Sequence, residues 1–169
     1  STASFEVEGN IMSLIYGDNF KNNLTISSDF TFNGLFSNCA NLVSAENLIL
    51  PATTLADWCY GNMFSNCTKL TTAPKELPAM TLVLSCYNSM FYGCTSLTSA
   101  PALPATTLGL NCYSHMFQGC TSLTTAPELP ATTLVEACYY YMFQGCTSLT
   151  TAPALPATTL NRYCYQNMF

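Results

Sequence analysis

Charged side chains are scarce in this chain of 169 residues: Asp, Glu, Lys and Arg together make up 8% of it, against about 25% in an ordinary globular domain. Four Lys and Arg stand against nine Asp and Glu, which gives a formal net charge of −5 at pH 7. So few basic residues argue against nucleic acid and anionic membranes as partners. The sequence also contains no run of 18 apolar residues, so no membrane-inserted segment is predicted.

The residue patterns of metal and catalytic sites are missing as well. The chain has one histidine, and none of its ten cysteines forms a C-x-x-C pair, so neither a zinc site nor any other metal or cofactor is predicted. The cysteines fall into two repeating columns, and within a repeat two cysteines stand eight residues apart, as Cys112 and Cys120 do. On a helix that separation is about 12 Å, too long for a disulfide. We therefore expect free, buried thiols.

Cys112 and His115 are the one sequence-adjacent pair that suggests a nucleophile and its base. No Asn or Asp in a suitable position orients the histidine, and a catalytic pair needs a preorganised cleft. The position of His115 carries Asn, Ser or Tyr in the other repeats, which is typical of a solvated position. No catalytic residue is predicted, and we expect a protein that is not an enzyme.

The dominant feature of the chain is a repeat. A Met-Phe pair recurs in steps of 27, 26, 26 and 26 residues, at Met63, Met90, Met116, Met142 and Met168. A period of about 20 to 50 residues is typical of a solenoid, in which each unit buries its apolar face only against its neighbours. Such a fold presents an extended surface rather than a pocket, and this favours binding over catalysis.

Each repeat contains an L-x-x-A segment followed at once by proline, as in Leu123, Ala126 and Pro127. Proline cannot donate to a sheet ladder. We therefore predict parallel strands of only three or four residues that end at the alanine. The other half of the repeat has helical features: Thr133 and Glu136 match a capping box, and Leu134, Cys138 and Met142 recur every four residues. A column of only Gly or Asn predicts a left-handed residue that ends each helix.

Residues 1–30 do not repeat and are predicted to form an N-terminal β-hairpin cap, with Gly9-Asn10 as the turn between two apolar runs. Residues 31–169 are predicted to form the solenoid. The sequence stops inside a repeat, at Phe169, without the polar cap that a solenoid end needs. We expect a chain truncated at its C-terminus, with self-association through the uncapped last coil.

The sequence motif Met-Phe-Gln-Gly-Cys-Thr-Ser-Leu, at 116–123 and 142–149, resembles the BspA-like branch of leucine-rich repeats. Residues 8–14 also resemble the segment that precedes such arrays in surface proteins of gut bacteria. The resemblance implies an α/β fold, a right-handed β/α leucine-rich-repeat solenoid of about five coils, on a secreted or cell-surface protein. Some members of the family bind host matrix proteins or other cells.

Two exposed features are candidates for a ligand face. One is a hydroxyl lattice on the strand side and the other is a run of three tyrosines, although threonine also suits strands and helix caps for structural reasons alone. We predict a non-enzymatic adhesion protein that binds a host extracellular protein or a carbohydrate; the alternative is a structural spacer that displays another domain. The predicted ligand face comprises Thr98, Ser99, Thr124, Thr125, Thr150, Thr151, Tyr139, Tyr140 and Tyr141.

Overall fold

The structure, a computed structural model, describes residues 3–169 as a stack of coils with few regular elements. Between residue 50 and the last described residue the backbone consists of turns, extended chain and single β-bridges. The regular elements lie in the first third of the chain: strand β1 (Phe5–Glu6), strand β2 (Gly9–Asn10), helix α1 (Ser13–Tyr16), a 3-10 helix (Gly17–Asn22), strand β3 (Leu42–Ser44) and strand β4 (Leu48–Ile49).

Every strand pairs in parallel with the corresponding part of the next coil. Strand β1 pairs with β3, and β2 pairs with β4. In the later coils the parallel pairing is reduced to single bridges, which join Ser44 to Thr72, Thr72 to Ser99 and Ser99 to Thr125. In each later coil a proline follows two residues after the bridge, which removes the next amide donor. The prediction of short parallel strands is confirmed. Proline accounts for the single bridges of the later coils, whereas β3, which no proline follows directly, has three residues.

The second half of each coil is a chain of turns, so the predicted helices are wrong. In the segment 137–145 the amides alternate between two kinds of partner. The N–H of Met142 donates to the carbonyl three residues earlier, at 3.2 Å, whereas the N–H of Phe143 donates to Met168 in the next coil, at 2.7 Å. An α-helix would use bonds to the fourth preceding residue throughout. In these segments about half of the backbone N–H groups instead donate to carbonyls of the neighbouring coil.

A left-handed residue at every fourth position produces this alternation. In the same segment φ is 54° at Ala137, 55° at Tyr141 and 76° at Gly145. Each positive φ reverses the local course of the backbone, which stops an α-helix from propagating. The predicted Gly and Asn column does adopt the left-handed conformation. It is, however, one of three such columns in each turn segment and does not end a helix.

The four-residue turns place two side chains inside and two outside. Cys138, Tyr139, Met142 and Phe143 are buried, whereas the residues between these pairs reach the surface. Because every coil repeats this arrangement, like side chains stack along the axis. One ladder contains six rings with centroids 5.6 to 6.0 Å apart, Phe32, Tyr60, Tyr87, Tyr113, Tyr139 and Tyr165. A second has spacings of 5.3 to 5.8 Å and contains Phe36, Phe64, Phe91, Phe117, Phe143 and Phe169.

The cysteines belong to this core. All ten are free thiols, and nine of them are buried. In one column the thiol donates to a phenylalanine carbonyl of the preceding coil, as Cys120 does to Phe91 at 3.1 Å. Burial raises the pKa of the Cys67 and Cys146 thiols to about 11 and that of Cys138 to about 12. At neutral pH these groups are protonated packing elements rather than nucleophiles.

The N-terminal segment is built differently from the predicted hairpin. Gly9 and Asn10 form strand β2, and the residues that follow enter helix α1 instead of a second strand. The physical reason is that parallel pairing with β3 and β4 buries Ile11 and Met12 in the common core, to 3% and 0% exposure. A hairpin would leave that edge unpaired. Within residues 3–169 no helix is long and apolar enough to span a bilayer.

The buried thiols predict a sharp loss of stability in alkali. Burial raises the pKa of five thiols in particular: Cys59, Cys86, Cys94, Cys112 and Cys120. A raised folded-state pKa stabilises the fold below the unfolded-state pKa, and that contribution is lost as the pH rises. One pH unit above an unfolded-state value of about 8.5, each thiol costs about 1.4 kcal/mol. Five thiols cost about 7 kcal/mol, which is comparable with the whole stability of a domain.

Urea denaturation in the presence of a reductant measures this effect. We expect a free energy of unfolding that changes little from pH 6 to 8 and falls steeply between pH 8.5 and 10. Cys112→Ala should reduce the slope by about one proton. The core variant Leu129→Ala should lower stability equally at every pH and leave the slope unchanged. A stability that stays level to pH 10 would contradict the burial of the thiols.

Gly109 predicts a second, purely steric sensitivity. A Cβ atom at this position would lie 2.5 Å from the carbonyl carbon and oxygen of Val83 in the preceding coil. Gly109→Ala should therefore force the two coils apart and lower the free energy of unfolding by about 1 to 3 kcal/mol. The control is Leu160→Ala on the last coil, where the side chain is 60% exposed and we expect a change within about 0.5 kcal/mol. Thermal and urea unfolding of both variants would show equal losses if the close approach were absent.

Candidate functional site

The hydroxyl lattice lies on the surface, as predicted. All six of its members are exposed: Thr98, Ser99, Thr124, Thr125, Thr150 and Thr151. Two of them donate along the stack, because the hydroxyl of Thr98 bonds the carbonyl of Thr71 at 3.2 Å and that of Thr124 bonds Thr98 at 3.3 Å. Ser99 and Thr125 form backbone bridges. The hydroxyl protons of Thr98 and Thr124 therefore connect coils, and these two side chains offer acceptor lone pairs to solvent.

The three consecutive tyrosines do not act as one patch. Tyr139 is 1% exposed and is a rung of the core ladder, so its inclusion in the ligand face is wrong. The other members of its column, Tyr60, Tyr87 and Tyr113, are also buried, at 0 to 1% exposure. The two-in, two-out pattern is the cause, since it turns Tyr139 inward and Tyr140 and Tyr141 outward.

Tyr140 and Tyr141 form an aromatic cluster with His115 of the preceding coil. The imidazole stacks on the Tyr141 ring at 5.1 Å and meets Tyr140 edge-on at 5.3 Å. Its Nδ1 lies 2.6 Å from Oε1 of Gln118, whose side-chain amide bonds that of Gln144. A hydrogen bond with Tyr141 raises the pKa of the Tyr140 hydroxyl. His115 thus braces the two rings on the surface, while Cys112 lies in the core with 0% exposure.

A groove of about 410 Å³ opens beside Tyr140. Its floor contains Ala137 and its walls carry two aromatic rings, two amides and a carboxylate. On the outer wall the Arg162 guanidinium lies 4.9 Å from the ring centroid of Tyr163 and donates to the hydroxyl of that ring at 2.9 Å. The lining residues are Asn111, Glu136, Ala137, Tyr140, Tyr163 and Gln166.

Sequence reasoning found one wall of this groove and missed the rest. Tyr140 stood in the predicted ligand face, whereas Asn111, Glu136, Tyr163 and Gln166 did not. A signal for them exists in the repeat itself: the column of Tyr140 carries Gly61, Asn88, Ser114 and Gln166 in the other coils. A large ring at a position that is otherwise small or polar marks a departure from what packing requires.

Other grooves follow the proline side of the stack. The one between Lys75 and Glu128 measures about 490 Å³, and the one that includes Glu46 and Glu76 about 440 Å³. The first is lined mostly by proline, alanine and leucine, and the second also carries Glu46, Asn47, Lys75 and Glu76; neither has an aromatic ring in its wall. Within residues 3–169 no group of three or more His, Cys, Asp or Glu converges as metal ligands would. The aromatic groove is therefore the best candidate site.

Two solved structures are similar to this chain in part. A leucine rich cell surface protein from Faecalibacterium prausnitzii A2-165 is 22% identical, with a TM-score of 0.46, over 87% of this chain and 30% of that one. A leucine-rich repeat protein from Bacteroides ovatus ATCC 8483 is 23% identical, with a TM-score of 0.41, over 77% of this chain and 30% of that one. The chain thus spans about 30% of the length of each.

No protein-family model and no curated protein matches the chain. The description of the fold as a repeat solenoid rests on the coil-to-coil hydrogen bonds and stacked rings of the chain itself.

Chemical labelling distinguishes the core tyrosines from those of the site. Tetranitromethane reacts with accessible phenols, so we expect rapid nitration of Tyr163, slower nitration of Tyr140 and Tyr141, and protection of Tyr139 and Tyr113 in the folded protein. Peptide mass spectrometry reads the order of labelling. The exposed Tyr92 of another coil serves as the internal standard for free reaction. Nitration of Tyr139 at the rate of Tyr92 would refute its place in the core.

Proposed function

We propose that this chain is part of a secreted or cell-surface protein of the BspA-like leucine-rich-repeat type, without enzymatic activity, whose aromatic groove binds carbohydrate. The observation that carries the proposal is the convergence of the Tyr140 and Tyr163 rings with Asn111, Glu136 and Gln166 in one groove. The family and the location are supported by the repeated Met-Phe-Gln-Gly-Cys-Thr-Ser-Leu text and by residues 8–14.

A pyranose ring matches the chemistry of this groove. Its C–H face packs on an aromatic ring, and its hydroxyls need partners that both donate and accept. Tyrosine supplies an amphipathic ring with a polar edge, and the side-chain amides of Asn111 and Gln166 offer donors and acceptors together. Every lining residue except Ala137 carries a polar group, which suits a ligand with many hydroxyls.

The charges of the groove favour a neutral sugar. Glu136 places a carboxylate in the lining, and Arg162, the cation beside it, is held on the ring and hydroxyl of Tyr163. A uronic or sialic acid would bring its own carboxylate toward Glu136, and like charges at close range are unfavourable. The net charge of −5 adds to this repulsion at longer range.

A structural spacer is the second candidate function. The specific observation in its favour is the pair of ring ladders, each continuous through six coils. Coils tied by stacked rings and backbone bonds form a stiff element that can hold another domain away from a cell. A spacer needs no ligand, so the binding experiment separates the two functions.

A glycan array followed by titration calorimetry tests carbohydrate binding. We expect binding of neutral oligosaccharides in preference to acidic ones, and a loss of about tenfold or more in affinity for Tyr140→Ala and for Tyr163→Ala, which is about 1.4 kcal/mol. Tyr92→Ala is the matched control, because this tyrosine is 40% exposed and lies outside the groove; its affinity should not change.

The outcomes are distinct. Binding that survives both groove variants would remove the groove from the function. No binding to any sugar, together with Tyr140-dependent binding to an extracellular-protein array, would replace carbohydrate with a protein ligand. Absence of both would favour the spacer.

A further inference from the structure

Four tyrosine hydroxyls are buried in the core without a protein partner. They belong to Tyr60, Tyr87, Tyr113 and Tyr139, which are consecutive rungs of one ladder. Most buried polar side-chain atoms in folded proteins have a hydrogen-bond partner, and an unpaired hydroxyl in a core costs stability. A single exception would be unremarkable, but here the same exception repeats in four successive coils. The repeat therefore preserves a hydroxyl where phenylalanine would fill the same space.

The spacing of these rings fits a bridging atom. The centroids of successive rings lie 5.7, 5.9 and 6.0 Å apart, and the rings are within 10° of parallel. Because the rungs are near-parallel copies of one side chain, their hydroxyl oxygens follow at about the same spacing. That is too far for a direct bond between hydroxyls. It is about twice the length of an O–H···O hydrogen bond, which is about 2.5 to 3.0 Å, and it leaves room for one oxygen between each pair.

We propose that this column binds a file of water molecules along the solenoid axis, one water between each pair of successive tyrosine hydroxyls. Each tyrosine donates to the water on one side and accepts from the water on the other, and each water does the same. The three gaps between Tyr60 and Tyr139 then hold three waters. A buried water with such partners is a stable part of a protein structure.

The surroundings of the column keep its hydroxyls protonated. Burial raises the pKa of the Tyr87 and Tyr113 hydroxyls, and the thiols of Cys86 and Cys112 next to them add to the shift. Every hydroxyl therefore keeps its proton and can donate. The file also connects coils: each water bonds side chains of two neighbouring repeats, in addition to the backbone bonds that join them.

Conservative substitutions decide between a hydrated and a dry column. With a water file, Tyr87→Phe deprives two waters of a partner, and we expect the Tm to fall by about 3 °C. In a dry column the same variant removes an unpaired hydroxyl, so the Tm would rise or stay constant, and either result overturns the proposal. Tyr165→Phe is the matched control, since this rung of the same ladder is only partly buried; its Tm should not change.

A double-mutant cycle then tests for shared waters. Tyr87 and Tyr113 face one gap, so the double variant Tyr87→Phe/Tyr113→Phe should lose less stability than the sum of the two single variants. Tyr60 and Tyr139 share no gap, and their losses should add. Additive losses in both pairs would refute bridging. A crystal structure at high resolution should show one ordered water about 3 Å from both hydroxyls of each pair; continuous apolar packing there would refute the file directly.

Discussion

The structure depends on one constraint: in each turn segment every second backbone N–H can be satisfied only by the neighbouring coil. The left-handed residue at each fourth position, as at Ala137 and Tyr141, turns these donors along the axis. Non-glycine residues pay about 1 to 2 kcal/mol for that conformation, and thirteen of them adopt a positive φ in residues 3–169. The coil-to-coil hydrogen bonds must offset this strain. One isolated coil would have the strain without the bonds, which is why the repeat exists only as a stack.

The same constraint determines which residues can vary. Because the turns place side chains two in and two out, the inward pairs must match the coils above and below them. Met142 and Phe143 therefore recur almost unchanged, and the aromatic ladders are the direct result. The outward pairs are less uniform, although Gly61 and Ser114 in the column of Tyr140 are buried. His115, Tyr140 and Tyr141 occupy outward columns that elsewhere carry Gly, Asn, Ser or Gln, so their aromatic character has no origin in packing.

Much of the fold follows from sequence, and the exceptions have physical causes. The period, the short parallel strands and the left-handed Gly and Asn column were predictable because spacing, proline and glycine have specific backbone consequences. The helix was not, since Leu134, Cys138 and Met142 at steps of four fit a 3.6-residue helix and a four-residue turn equally well. Trp58, Ala137 and Tyr163 hold left-handed positions, yet none of these residue types signals that conformation. The walls of the groove come from adjacent coils. The 26-residue period predicts that these residues lie near one another, but it does not predict which of their side chains point into one groove.

The groove itself arises from a mismatch between repeats. Along the column that includes Asn111, Ala137 and Tyr163, a small residue lies between two larger ones. Ala137 carries only a methyl group there, so it leaves a depression between its larger neighbours. Tyr163 and Tyr140 form the walls of that depression. A perfectly regular solenoid would have no such hollow, because identical coils give a surface of constant height. The site therefore exists because the side chains of neighbouring repeats differ in size at this position. For the same reason, the positions that vary between repeats form the candidate site, and the positions that stay constant stabilise the fold.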